Sequence, residues 1–290
     1  AVTPTEFQWY PTFQTQTGEP RPFPIVLSHE FSGEVAALGA GVNNFKIGDA
    51  VYGLNDWFAN GAQAEYCVAS ATMLAIKPRL LNHAQSAVVP ISALTAWQGL
   101  LERAQLQAGQ RILIHGAAGG VGIFAVQLAR WRGARVIATA SAGNLDFVRQ
   151  LGAHEVIDYQ AKRFEDVVHD VDVVFDAVGG ETLARSWSVL KPGGKLVTVA
   201  AGGAHADEQR VRDAFMLVRA DRCQLKQIAA LIDAGELRVS VAGVYPLAQA
   251  QAAYERASRG GMRGKVALQV HGSRLSGIRG VAEVEHATWT

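Results

Sequence analysis

Cysteine is nearly missing from this 290-residue chain: Cys67 and Cys223 are far apart and form no C-x-x-C pair. That scarcity argues against a disulfide framework and a cysteine-rich zinc site. An excess of either charge sign is missing too. Lys and Arg number 27 against 26 Asp and Glu, a net charge of +1, so neither nucleic acid nor an anionic membrane is an expected partner. No apolar run reaches membrane-spanning length and no basic-then-apolar leader is visible, which makes the cytosol the expected compartment. A starting Met is also lacking; the chain opens on Ala1, and a piece ahead of it is expected. Apolar residues, by contrast, make up 49% against 18% charged, enough for one large or two ordinary domains.

Residues 111–130, RILIHGAAGGVGIFAVQLAR, organise the rest. Ile112, Leu113 and Ile114 form the short apolar run of a buried parallel strand. Small residues come next from Gly116 to Gly122, then a helical stretch with Arg130 in its last turn and Gly133 as its stop. Such a turn seats a pyrophosphate, because side chains are absent where the phosphates approach and helix N–H groups point at the anion. Ala117 departs from the G-x-G-x-x-G pattern, but strand and helix stand on the proper sides.

Residues 1–24 hold Pro4, Pro11, Pro20, Pro22 and Pro24 and read as loop. From residue 25, short apolar runs alternate with glycine and asparagine turns, with a further strand at 61–68, predicting a small antiparallel barrel-like unit. Residues 82–101 read as helical around Pro90. Strands then come at 136–139, 155–157, 171–175, 195–200 and 215–218, with helices at 144–151, capped by Asn144, and 182–190. This alternation predicts a right-handed, doubly wound parallel sheet. Helices at 221–234 and 247–257 and a strand at 265–270 complete the pattern, and residues 271–290 carry no periodicity of either kind.

An NAD-preferring site places an acid at the end of the second strand to hold the ribose 2′-hydroxyl. Here Ala140 and Ser141 occupy that position, and the nearest acid, Asp146, is already inside a helix. The expected cofactor is therefore NADP, bound as NADPH. Ser141 and Tyr159 could reach the 2′-phosphate and Lys162 or Arg163 add charge, although each could equally be a solvated loop residue.

Ordered motifs resemble the medium-chain dehydrogenase/reductase superfamily, in its zinc-free quinone oxidoreductase (zeta-crystallin-like) branch. They are SHEFSGEV, ALGAGVNNFKIGDAVYG, GAQAEYCV, PISALTAWQGL, HGAAGGVG, QLGAHEVIDY, DVVFDAVGG, LKPGGKLVTV, VYPLAQAQAAYE and RGKVALQV. The resemblance implies an α/β chain, a Rossmann domain plus a GroES-like antiparallel β-barrel catalytic domain, with the cofactor in the cleft between them. The expected division is a catalytic part at 1–88, the Rossmann domain at 89–221, a returning catalytic part at 222–271 and a tail at 272–290. Members carry a further stretch ahead of AVTPTEF that supplies the first strands of the catalytic domain; without it that domain has an unpaired edge. By resemblance Thr95 backs the nicotinamide, and Gly119, Gly120, Val121 and Gly122 line the phosphates. Val178 and Gly179 lie on the ribose side, and backbone from Phe215 to Leu217 meets the carboxamide. A homodimer is also implied.

Zinc alcohol dehydrogenases of the superfamily carry a His-Glu pair like His29-Glu30. Their other ligands are cysteines, and the matching positions here are Thr3 and, approximately, Ile91, so no metal is expected. The chemistry then expected is hydride addition to a quinone or to the β-carbon of an enone, leaving an oxyanion that needs a hydrogen-bond donor and a proton. Thr3, Tyr10 and Tyr52 are the candidate donors, and Gln8 stands where some relatives have a tyrosine. Trp9, Trp57 and Phe58 fit a planar apolar substrate, or are simply core. His115, at the end of a buried strand, reads as structural. The alternatives are a zinc-dependent alcohol dehydrogenase and a catalytically idle NADPH-binding protein.

Overall fold

Proline-rich sequence cannot supply long ladders, and the first residues build tight turns instead. In the computed structural model, which describes residues 1–200 and 208–270, a 3₁₀ turn (Pro4–Gln8) and a one-turn helix α1 (Tyr10–Phe13) each begin with a proline in the first turn. The expected loop is corrected on this point: a proline there gives up an N–H that has no helical partner anyway. Three antiparallel strands come next, β1 (Glu30–Glu34), β2 (Ala50–Leu54) and β3 (Leu74–Ile76), adjacent in that order. Residues 61–68, expected as a strand, are irregular. Gly61, Ala62 and Gln63 donate to the carbonyls of Val26, Ser28 and Leu27, but Ser28 has φ 65°, which breaks the partner segment and ends the pairing. A capping box between Asn82 and Gln85 opens α2 (His83–Ala87). Pro90 then starts α3 (Pro90–Trp97), which passes into a π-helical turn, Gln98–Arg103.

β4 (Arg111–His115) is followed by α4 (Gly120–Trp131), β5 (Arg135–Ala140), α5 (Leu145–Gln150), β6 (Glu155–Asp158), β7 (Val171–Asp176), α6 (Gly180–Ser186) and β8 (Leu190–Thr198). The five strands are parallel in the order β6-β5-β4-β7-β8, the doubly wound sheet the alternation predicts. Ile112, Ile114, Val136, Ala138, Val173 and Phe175 join one core with Leu94, Phe124 and Leu225, whereas Leu113, Ile137 and Val174 join another with Phe164, Leu183 and Leu196. Alternate residues of each strand thus serve opposite faces, which is why the strands read as continuous apolar runs. Asn144 stands at the start of α5 without capping it: its Nδ2 donates to Ser141 Oγ at 3.2 Å, and its Oδ1 accepts from Arg263. The strand expected at 215–218 is a single bridge from Phe215 to Thr198.

The last elements are α7 (Gln209–Ala214), α8 (Arg222–Asp233), β9 (Val241–Pro246), α9 (Ala250–Ser258) and β10 (Lys265–Gln269). β9 and β10 pair in parallel, and Val2 N donates to Val266 O beside them at 2.9 Å. Among the described residues the antiparallel unit holds a three-stranded sheet, with β9 and β10 as a separate parallel pair. The expected tail at 272–290 lies outside the described residues. Among the described residues no helix is long and apolar enough to cross a membrane.

Candidate active site

In a doubly wound sheet, ligands bind where the strand order reverses, beyond the carboxyl ends of the strands. That point lies between β4 and β7, where His115 pairs with Asp176. After β4 the chain turns through Gly116, Ala117, Ala118 and Gly119 into α4, whose cap is Gly119 and whose first turn carries no acid. A side chain at Gly122 would fall on the Gly116 carbonyl oxygen and lie 2.7 Å from Ala117 Cα. The helix can approach the turn so closely only because residue 122 has no Cβ. After β7 a second turn is built on Asp176, a fully buried carboxylate that the sequence reading missed. It accepts from Gly179 N at 3.0 Å, Val178 N at 3.1 Å and Thr198 Oγ1 at 2.8 Å. Burial still holds its pKa above the ordinary carboxylate range despite these donors. An acid ending an apolar strand just before paired glycines was the available signal.

The segment from Phe215 to Arg219 runs beside these turns. Met216 N donates to Thr198 O at 3.0 Å, and Gln98 from the π-helical turn pairs with both backbone groups of Arg219, at 2.9 and 3.1 Å. Thr95 is buried, its hydroxyl donating to Ile91 O at 2.6 Å, while Val178 and Leu217 stand 53% and 60% exposed.

On the antiparallel side, Glu6 is fully buried. Its Oε1 accepts from Ser28 N at 2.8 Å and lies 2.7 Å from His29 Nδ1, and its Oε2 accepts from the Tyr254 hydroxyl at 3.1 Å. Because a carboxylate accepts, the Glu6 contact is made by an Nδ1–H of His29, and Nε2 lies 3.4 Å from Ala59 O. Next door, buried Glu30 pairs with Lys265, and its Oε2 accepts from Ile91 N at 2.8 Å. Trp57 lies edge-on to Trp9 with ring centres 5.2 Å apart and tilts over His29 at 5.4 Å.

The three expected proton donors fare differently. Tyr52 is fully buried and its hydroxyl donates to Leu225 O at 2.6 Å, tying β2 to α8. Burial pushes its pKa up, so this expectation is corrected: the group is a packing anchor. Tyr10 is 48% exposed and donates to Thr15 O at 2.8 Å, closing its own turn, which corrects that expectation as well. Thr3 keeps a buried hydroxyl without a hydrogen-bond partner among the described residues.

Comparison with known proteins bears on this geometry. The family model of the zinc-binding dehydrogenases matches residues 151–268, and that of the alcohol dehydrogenase GroES-like domain matches 1–79. A chloroplast envelope quinone oxidoreductase homologue of Arabidopsis thaliana is 30% identical over 86% of this chain and 81% of its own. A quinone oxidoreductase structure from Coxiella burnetii superposes with a TM-score of 0.80 at 34% identity, covering 86% of this chain and 80% of that one. The chain belongs to the medium-chain dehydrogenase/reductase superfamily, in its quinone-oxidoreductase branch. A further structural relative, the Escherichia coli quinone oxidoreductase complexed with NADPH, has a TM-score of 0.75 at 28% identity, covering 86% and 83%. As a member of this superfamily the protein is an oxidoreductase that uses a nicotinamide cofactor, and the glycine cradle at Gly122 with the acid-free start of α4 fits one.

Zinc, which one matching family carries in its name, does not fit. His29 is held between Glu6 and Ala59, Thr3 supplies a hydroxyl where a thiolate is needed, and Ile91 offers only its backbone. Among the described residues no group of three His, Cys, Asp or Glu could hold a metal ion. At the far end of the site, Ala140 is buried and ends β5, with Ser141 after it. Tyr159 is 57% exposed. Arg163, one of the two residues expected to add charge, is paired with Glu165 at 2.7 Å.

His115 is fully buried, with Nδ1 2.9 Å from Thr139 Oγ1 and Nε2 3.1 Å from Ser186 Oγ. Ser186 spends its one proton on Thr182 O, so it accepts from Nε2–H, and Thr139 donates to Nδ1. Burial, helped by the Arg185 charge, pushes the His115 pKa down to about 3. The unfolded chain takes this proton near pH 6.5 (about the free imidazole value) and the native protein only near pH 3, so stability falls as pH drops through that window. The loss runs up to about 1.4 kcal/mol per pH unit. His115→Gln is expected to flatten the acid limb by one proton when urea-unfolding free energies are compared from pH 6 to pH 4. Equal slopes in the two proteins would refute it.

Proposed function

We propose that this oxidoreductase uses NADPH to reduce quinones and α,β-unsaturated carbonyl compounds, without a metal. The observation that carries the cofactor choice is the end of β5: no carboxylate stands at Ala140 or Ser141 to hold a free 2′-hydroxyl or repel a 2′-phosphate. Ser141 and Tyr159 are assigned to that phosphate, Gly119 to Gly122 to the pyrophosphate, and Val178 and Gly179 to the ribose. Thr95 is assigned to the nicotinamide and Phe215 to Leu217 to its carboxamide. The expected division at 88/89 and 221/222 belongs to the same proposal.

When bound, the cofactor supplies the hydride. The residues arrange what receives it. Trp9 and Trp57, both partly buried against the main core, offer flat apolar surface to a planar acceptor. Hydride on the β-carbon of an enone, or on a quinone, sends negative charge to the carbonyl oxygen, and one proton completes the reduction. Thr3 is the group assigned to that oxygen. A buried hydroxyl left unpaired costs about 1–3 kcal/mol, a cost removed when it donates to the acceptor. The proton is then delivered from water through the same hydroxyl.

Mixing the protein with NADPH and a panel of quinones and enones tests the proposal through the fall in nicotinamide absorbance. Oxidation with at least one acceptor, faster than with simple aldehydes or alcohol–NADP pairs, is the expected result. Coenzyme binding without oxidation by any acceptor would overturn it in favour of a catalytically idle NADPH-binding protein.

A further inference from the structure

A polar cavity of about 550 Å³ opens at the carboxyl end of β5, lined by Ser141, Asn144, Ser240, Arg256 and Arg263 among others. This is where the adenosine ribose of a dinucleotide lies on such a sheet. Neither Lys162 nor Arg163 lines it, and Arg163 is paired with Glu165. The two arginines come from α9 and from the loop before β10. Arg263 is held rigidly: Nε donates to Asn144 Oδ1 at 2.8 Å, one terminal nitrogen donates to Gly143 O at 2.7 Å, and the guanidinium lies 5.1 Å over the Phe147 ring. Arg256 donates to Gly260 O at 3.1 Å. Among the described residues no carboxylate pairs with either arginine. A guanidinium carries five N–H donors in a fixed fork suited to phosphate, and Arg263 has spent only two.

We infer that Arg263, supported by Arg256, is the 2′-phosphate receptor, and that residues 263–265 form a strap along the whole cofactor site. Beyond Arg263, Gly264 N donates to Ala118 O at 3.0 Å on the pyrophosphate turn. Gly264 has φ 87°, and a side chain there would fall on Ser240 O, so glycine alone fits. Lys265 then packs its stem by Gly120 and pairs with buried Glu30 of β1. Three consecutive residues therefore touch the phosphate pocket, the glycine turn and the antiparallel sheet. The inference rests on the NADPH reading. It adds that the discriminating charge comes from α9 and the loop before β10, and that reading the 2′-phosphate is coupled to holding the two sheets together.

Fluorescence titrations of NADPH and NADH into the unaltered chain and into Arg263→Gln and Arg256→Gln separate the possibilities, with a melting curve to check folding. In Arg263→Gln the NADPH dissociation constant is expected to rise about tenfold or more, the loss of a charge-assisted hydrogen bond, with NADH changed less than about twofold. Arg256→Gln is expected to show a smaller loss of the same sign, and carries the test if Arg263→Gln fails to fold. Equal weakening of both coenzymes, or no change, overturns the inference while an NADPH preference of the unaltered chain leaves the cofactor reading standing. A preference of the unaltered chain for NADH overturns both.

Discussion

Gly122→Ala is expected to abolish coenzyme binding and to lower the melting temperature, whereas Gly120→Ala, two residues earlier in the same helix, is expected to keep the stability of the fold. The methyl group at 122 would land on the Gly116 carbonyl oxygen, with Ala117 Cα at 2.7 Å and Ala117 C at 2.8 Å. All three are backbone atoms of the turn that has to cradle the pyrophosphate, so no rotamer change relieves the clash. Either α4 moves away from the sheet or the turn opens, and both take the helix N–H groups off the anion. Overpacking of this kind costs about 1–3 kcal/mol, and rigid backbone on both sides puts it at the upper end. At Gly120 the nearest atom to a new methyl is Ser92 Oγ at 3.3 Å, the end of a side chain that can turn. Gly120 opens α4, and an alanine there restricts the unfolded chain, offsetting the tightness by about 0.4–1 kcal/mol. Fluorescence titration with NADPH and thermal melts on both variants check the contrast. Unimpaired binding by Gly122→Ala would show that the turn is not the phosphate seat.

The same contrast explains which parts of the molecule were legible in the sequence. Gly122 is constrained by residues five or six positions away, so strand, turn and helix could be read together from one local run. The parallel strands were legible because burial on both faces forces consecutive apolar residues such as Ile112, Leu113 and Ile114. Edge features were not. The 61–68 segment has strand-like composition, yet Ser28 across from it is in a left-handed conformation, and nothing near residue 61 encodes that. Tyr52 reads in sequence as a cleft donor, but its hydroxyl donates to Leu225 O, 173 residues away. The polar contacts that shape the site are of this distant kind: Glu6 meets His29 across 23 residues, and Arg263 meets Asn144 across 119. An arginine in a glycine-rich loop carries no periodic signal, so composition alone could not separate Arg263 from a solvated residue.

Lys265→Met is expected to destabilise the protein by about 3–5 kcal/mol, because it strands a charge. Glu30 is fully buried and Lys265 is 9% exposed, so water cannot replace the ammonium. With the lysine gone, Glu30 keeps the Ile91 N–H as its side-chain partner, too little for a carboxylate in apolar surroundings. Adding Glu30→Gln is expected to restore most of the loss. The amide still accepts from Ile91 N, both charges of the pair are gone, and exchanging a buried ion pair for neutral groups of similar volume is often neutral or better. At roughly 2–4 °C per kcal/mol for chains approaching this size, the single variant should melt about 10 °C lower and the double variant close to the unaltered protein. A thermodynamic cycle over both singles and the double measures the coupling; a single-variant loss below about 1 kcal/mol, or a double no better than the single, would mean that the pair does not hold β1 to the glycine turn. Coenzyme titrations on the same variants add a second discrimination. Loosening the strap at Lys265 disturbs the pyrophosphate turn that NADPH and NADH share, so it should weaken both alike. Arg263→Gln should instead weaken NADPH selectively, although the two residues are only two positions apart.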